Sequence, residues 1–163
     1  CADCHGTYAR DGEPISYDEP IVPLADIGTD PARAHAATES FARAANDRTL
    51  NRGFTKFRYT DGYVPPVLTN VWARAPYGHA GQWPSLAVLA MAPEQRPTSF
   101  VVDLDAPYDL ATVGVPMRAP GGSLGAGEYL HDATKPGLSV AGHPFLAELG
   151  NDAPAVIEYL KAL

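Results

Sequence analysis

The chain has 163 residues, 45 % of them hydrophobic, enough for a single globular domain with its own core. A formal net charge of −7 argues against a surface that grips nucleic acid or anionic membrane, since both need clustered lysine and arginine, and no apolar run approaches the ~20 residues required to cross a bilayer. The 15 glycines and 16 prolines are too many for a bundle of long helices and predict a mainly α domain of short helices with long Gly/Pro-rich loops.

The first five residues are Cys1-Ala2-Asp3-Cys4-His5, the C-x-x-C-H arrangement by which a polypeptide takes a haem covalently and ligates its iron. Two thiols three positions apart can each add to a haem vinyl group, while the adjacent imidazole of His5 is held beneath the iron as an axial ligand. A structural zinc site also starts with two cysteines at this spacing, but it needs a further ligand pair downstream. Cys1 and Cys4 are the only cysteines, and His35, His79, His131 and His143 are widely scattered. A redox dithiol normally opens a helix after a strand and fits this pentapeptide less well. Covalently attached haem c is therefore the expected cofactor.

Residues 6–28 read as an extended loop with Pro14, Pro20 and Pro23, its apolar Ile21-Val22-Pro23-Leu24 packing on the haem edge or the core. Asp30 caps and Pro31 starts a helix over residues 32–45, rich in alanine, arginine and glutamate, on which His35 is expected to be solvated. Residues 46–63 turn polar and aromatic, with Phe54, Phe57, Tyr59 and Tyr63 filling a core or covering a haem. Pro84 begins a short helix through Met91 with Leu86, Leu89 and Ala90 facing inward. Residues 92–127 read as an irregular excursion, interrupted at 98–103 by a run that alternates weakly and could form a short strand. The glycine-rich stretch 121–127 lacks the lysine, serine and strand-to-helix context of a phosphate loop and reads as a turn-rich tip. Asn151 or Asp152 caps a last helix running to Leu163, with Val156, Ile157, Leu160 and Leu163 forming one apolar stripe.

Residues 63–86, Y-V-P-P-V-L-T-N-V-W-A-R-A-P-Y-G-H-A-G-Q-W-P-S-L, resemble the R-N-x-x-x-T-A-P-Y-x-H-x-G-x-x-x-x-L segment of bacterial di-haem cytochrome c peroxidases. The likeness is closer to relatives of the di-haem rubber oxygenase. Their further motifs are matched by Pro93-Glu94-Gln95-Arg96-Pro97, Lys135-Pro136-Gly137, Ala141-Gly142-His143-Pro144-Phe145 and Ile157-Glu158-Tyr159-Leu160-Lys161. The resemblance runs from Cys1 to Leu163 and implies one cytochrome c-like domain over residues 1–163, the C-terminal haem domain of a longer two-haem protein. A helix that ordinarily precedes C-x-x-C-H and packs on the C-terminal helix would then lie in the preceding half.

In that superfamily the C-terminal haem generally has two protein ligands and passes electrons, while the N-terminal haem is where peroxide or dioxygen reacts. The resemblance thus implies an electron relay to or from a second haem domain of the same protein, part of a di-haem oxidoreductase, with a redox partner protein possible. Haem attachment to C-x-x-C-H takes place outside the bacterial cytoplasm, so a periplasmic or secreted location is expected, although no secretory signal is visible.

Histidine, methionine and less often tyrosine can fill the second axial position. His143 matches the histidine expected to be the distal ligand in the rubber-oxygenase-like subgroup, and Gly142 before it allows close backbone approach. Met91 is the alternative, at a spacing that departs from the peroxidase pattern, and Met117 the next. His79 belongs to the family motif and is expected to hydrogen-bond a haem propionate or the backbone, with Arg74 as a propionate partner. Trp72 and Tyr77 could lie on an electron path or fill the core. Two further functions stay open. The domain itself could react with peroxide or dioxygen, with His79 or Glu128 as acid-base group, or it could be an independent soluble carrier whose acidic surface docks a basic partner.

Overall fold

The computed structural model describes residues 1–48 and 56–163, so Phe54 lies outside the described residues. The chain opens with a single helical turn, α1 (Ala2–His5), closed where the Gly6 amide donates to Ala2 O at 2.9 Å. Gly6 has φ +82°, and a Cβ there would lie 2.2 Å from Ser16 O, so glycine lets the haem-motif turn run against the next strand pair. That pair is β1 (Thr7–Tyr8) and β2 (Pro14–Ser16), antiparallel. A second antiparallel pair, β3 (Val22–Pro23) with β4 (Gly62–Tyr63), brackets α2 (Leu24–Ile27).

Asp30 does cap the following helix, its Oδ1 accepting the Ala32 amide at 2.9 Å. The single helix expected over 32–45 is, however, two: α3 (Ala32–Ala36) and α4 (Glu39–Asp47). Between them Ala37 leaves the helical region (ψ 71°), and Thr38 Oγ1 accepts the Phe41 amide at 3.1 Å. A threonine able to cap the second segment outweighs the propensity of the alanine-rich run to continue. His35 is exposed on α3, as a solvated histidine should be.

The main core gathers around α5 (Leu86–Leu89), whose N-terminus is capped by Ser85 Oγ accepting the Val88 amide at 3.2 Å. Leu86, Val88 and Leu89 face inward onto Trp83, Tyr77 and Val113. The apolar stripe of the last helix, α6 (Ala153–Leu160), closes the same core through Leu160 and Leu163, with Val156 and Ile157 packed at its margin. Each buried leucine contributes about 1.5–3 kcal/mol.

A mainly α fold is not what forms. The described residues are 32 % helical with 17 % strand and hold three small antiparallel sheets, a mixed α/β arrangement. The largest sheet has its central strand, β5 (Ser99–Asp103), on the run 98–103 that could form a short strand, but its flanking strands, β6 (Met117–Arg118) and β7 (Glu128–Asp132), were not expected; the order is β6-β5-β7. The physical reason is burial on both faces. Phe100, Val101 and Val102 are 1 %, 2 % and 0 % exposed, so β5 shows a continuous apolar run instead of alternation, a pattern that cannot be told from a short buried helix. Glu128-Tyr129-Leu130-His131-Asp132 then pairs along its whole length, Ser99 opposite Asp132 through Asp103 opposite Glu128. No helix among the described residues is long and apolar enough to cross a membrane.

Candidate haem site

The His5 side of the site is built by the loop before α5. His5 Nδ1 donates to Pro66 O at 2.8 Å, which fixes the tautomer and leaves the other ring nitrogen as the one available to a metal. The same loop is tied down twice more. The Leu68 amide donates to Tyr8 Oη at 2.7 Å while that hydroxyl donates to His5 O at 2.5 Å, and Tyr17 donates its hydroxyl to Pro65 O. Cys1 and Cys4, both free thiols, sit at the start and within the same helical turn, three residues apart and so on one face of it.

The opposing side is built by residues 137–143. Gly142 (φ +82°) and His143 (φ 47°, ψ 58°) are successive left-handed residues, and for histidine this conformation carries strain. The surroundings enforce it: the His143 amide donates to Ile27 O at 2.7 Å, while Arg96 donates to the carbonyls of both Gly142 (2.6 Å) and His143 (3.1 Å). Asp30 contributes from the other direction, its Oδ2 accepting the Gly137 amide at 2.9 Å and the Ser139 amide at 3.4 Å. An open hollow of about 410 Å³ runs alongside, with Gly28 and Thr29 on its wall; a Cβ on Gly142 would touch both.

These two sides bring the rings of His5 and His143 together, centroids 6.2 Å apart and planes at 61°. The separation suits a shared metal. Two metal–nitrogen bonds of about 2 Å and two imidazole radii of about 1.15 Å sum to about 6.3 Å. His143 Nδ1 is buried with no hydrogen-bond partner, and the ring lies 6.0 Å from Trp83 and 5.2 Å from Phe145, centroid to centroid. Burial pushes the His143 imidazole down to about 4, helped by the neighbouring His5, and burial lowers His5 as well despite its bond to Pro66. Both rings are thus neutral at neutral pH, the form in which imidazole ligates a metal. Among the described residues no three His, Cys, Asp or Glu side chains gather as a metal cage. The donor set is an opposed imidazole pair beside two thiols, which fits a haem iron better than a zinc ion.

The other expected site residues are placed differently. Arg74 is exposed and donates to Val67 O at 3.0 Å and Thr69 O at 2.5 Å, bracing the loop that carries Pro66. His79 stacks on Tyr63 (6.4 Å, 26°), and its Nε2 is buried without a partner, as are Tyr63 Oη and Thr29 Oγ1. Tyr77 is a core residue, its hydroxyl within donating distance of Trp72 O (3.3 Å) and Val113 O (3.2 Å). Trp72 is at the surface, edge-on to Tyr108. Met91 packs against the main core, and Met117 stands exposed on β6 opposite Val102. His131 is buried in the sheet, stacked on Phe100 at 4.7 Å and donating from Nε2 to Leu138 O at 2.8 Å. Glu128 is held by Arg118 through bonds of 2.8 and 2.7 Å and by the Gly125 amide at 2.7 Å, which push its carboxyl down to about 2. A carboxylate so engaged is a poor general acid.

Sequence reasoning passed over Arg96, Trp83, Asp30 and Pro66 as parts of the site. Pro66 acts through its carbonyl and leaves no trace in side-chain type. Arg96 lies in Pro93-Glu94-Gln95-Arg96-Pro97, whose polar residues give no sign that the guanidinium is buried.

The family described as RoxA-like, cytochrome c-like matches residues 62–101, the segment that holds Pro66, His79, Trp83 and Arg96. Similar proteins include two from Sinorhizobium fredii. The uncharacterized protein y4iJ is 25 % identical over 88 % of this chain and 31 % of its own length, and the uncharacterized protein y4iM is 31 % identical over 70 % of this chain and 30 % of its own. The chain thus spans about a third of the curated relatives it matches. Over residues 62–101 the chain is thus similar to the RoxA-like, cytochrome c-like family, and haem c and electron transfer are what such a family implies.

Proposed function

We propose that this chain is a covalent haem c electron-transfer domain of a larger two-haem oxidoreductase, with Cys1 and Cys4 as the attachment points and His5 and His143 as the axial ligands. The observation that carries the reading is the opposed imidazole pair, 6.2 Å apart, with His5 already oriented by Pro66 O. Haem supplies a one-electron iron couple. The chain's own residues do the rest. Each thiol adds across one vinyl double bond, sulfur to one carbon and hydrogen to the other, so attachment needs no oxidant. His5 and His143 would hold the iron from its two sides and leave no open position for peroxide or dioxygen, which supports relay. Its partner is a second haem domain of the same protein, and its location is periplasmic or secreted, because haem c is attached outside the cytoplasm.

Mass spectrometry of the purified holoprotein under denaturing conditions is expected to show haem retained on the polypeptide. Its ferric absorption spectrum should be six-coordinate and low-spin, shifting only slowly with cyanide, which must first displace a protein ligand, and its ferrous spectrum should be unchanged by carbon monoxide. A high-spin ferric spectrum that shifts at once with cyanide would overturn the relay and favour a reactive haem.

A further inference from the structure

Arg96 is 3 % exposed and forms no ion pair among the described residues. A buried guanidinium needs all its donors satisfied, and here all five are, each by a backbone carbonyl. Nε donates to Met91 O at 3.1 Å, Nη1 to Val140 O at 2.8 Å and Gly142 O at 2.6 Å, and Nη2 to Leu89 O at 3.0 Å and His143 O at 3.1 Å. The cation also lies 5.5 Å from the centroid of Trp83, whose indole N–H donates to the same Val140 O at 3.1 Å.

The five acceptors come from two places. Leu89 belongs to α5 and Met91 lies just beyond it, whereas Val140, Gly142 and His143 make up the segment that ends in the strained left-handed turn. Arg96 thus joins the rigid core helix to the backbone of His143. A lysine cannot replace it, because an ammonium is a compact point charge with three donors and no planar fork. Its charge contacts carbonyl dipoles and an aromatic face, with the Glu94 carboxylate acting on it from beyond ion-pair distance, and it lies one hydrogen bond from the His143 peptide.

We propose that Arg96 is the positioning residue for the His143 imidazole, and that its unpaired positive charge raises the reduction potential of the iron bound there. The proposal rests on His143 being an axial ligand. Reduction adds one electron to the iron, taken in a titration from dithionite, and lowers the positive charge of the site by one. A fixed cation in a low-dielectric surrounding therefore favours the reduced form.

The test uses the haem-bearing protein with Arg96→Lys and Arg96→Met. Three quantities are read on the folded fraction: ferric spin state, the rate at which cyanide displaces the protein ligand, and the midpoint potential. Arg96→Lys keeps the charge and loses the fork, so cyanide binding should accelerate by about tenfold or more, the change expected from losing a single charge-assisted hydrogen bond. Its potential should stay nearer the parent's than that of Arg96→Met, which should show the same acceleration together with a lower potential. Where Arg96→Met does not accumulate, Arg96→Gln removes the charge and decides the potential. A purely structural arginine would lower the melting temperature and leave cyanide rate and potential unchanged, which overturns the proposal. Failure of the underlying reading looks different, because His143→Ala would then leave the parent spectrum and cyanide rate as they are.

Discussion

Gly142→Ala puts the strain in the site to a quantitative test. Gly142 has φ +82°, and a Cβ there would lie 2.4 Å from Thr29 N, 2.5 Å from Gly28 C and 2.6 Å from Thr29 Cα. All three are backbone atoms, so no side chain can swing aside. The left-handed conformation costs an alanine about 1–2 kcal/mol. The two backbones must also part by about 1 Å to restore van der Waals contact, an overpacking cost of about 1–3 kcal/mol. Together these give about 2–5 kcal/mol, or about 4–20 °C in melting temperature for a domain of this size. The displacement falls on the segment whose next residue donates to Ile27 O at 2.7 Å, so His143 should move with it. Thermal unfolding of the holoprotein followed by circular dichroism measures the first effect, and the ferric spectrum at 20 °C, gaining a high-spin fraction, the second. An alanine variant that melts within about 1 °C of the parent and keeps its spectrum would refute the close approach of residues 28–29 to Gly142.

Tyr8→Phe removes the hydroxyl that links the Leu68 amide to His5 O; two lost hydrogen bonds, both part-buried, should cost about 1–3 kcal/mol and lower the melting temperature without removing the haem. Asp30→Asn tests linkage. The Asp30 carboxyl lies below its ordinary value, chiefly through the bond from the Ala32 amide and also through those from Ser139 and Gly137. A depressed folded pKa gives stability that is present above the unfolded value of about 3.9 and lost as pH falls through the folded one. The variant should therefore melt lower than the parent at pH 7, with the gap closing on acidification below about pH 4; a gap constant with pH would contradict the carboxylate's role.

Much of the site was legible because its chemistry is local. Cys1, Cys4 and His5 lie on one helical turn, and the stripe Val156, Ile157, Leu160 and Leu163 has a period a reader can count. His143 could be proposed only through its motif, since no periodicity links residues 5 and 143. The run 98–103 could be read as a short strand, but its partners escaped: β6 is two residues long, and the pairing that stabilises β7 is set by long-range contact. The helix over 32–45 failed at Thr38, where a side-chain cap decided the break. Arg96 was invisible as a clamp because its five partners are carbonyls contributed by residues 89–143, and backbone acceptors carry no sequence signature.

The ferric spectrum of the haem-bearing His143→Ala protein tests the central claim most directly. With His143 as the second axial ligand, the substitution should convert a six-coordinate low-spin iron into a high-spin one that binds cyanide rapidly and, once reduced, carbon monoxide, and added imidazole should restore the low-spin spectrum. A low-spin spectrum unchanged from the parent would show that another residue faces His5 across the iron.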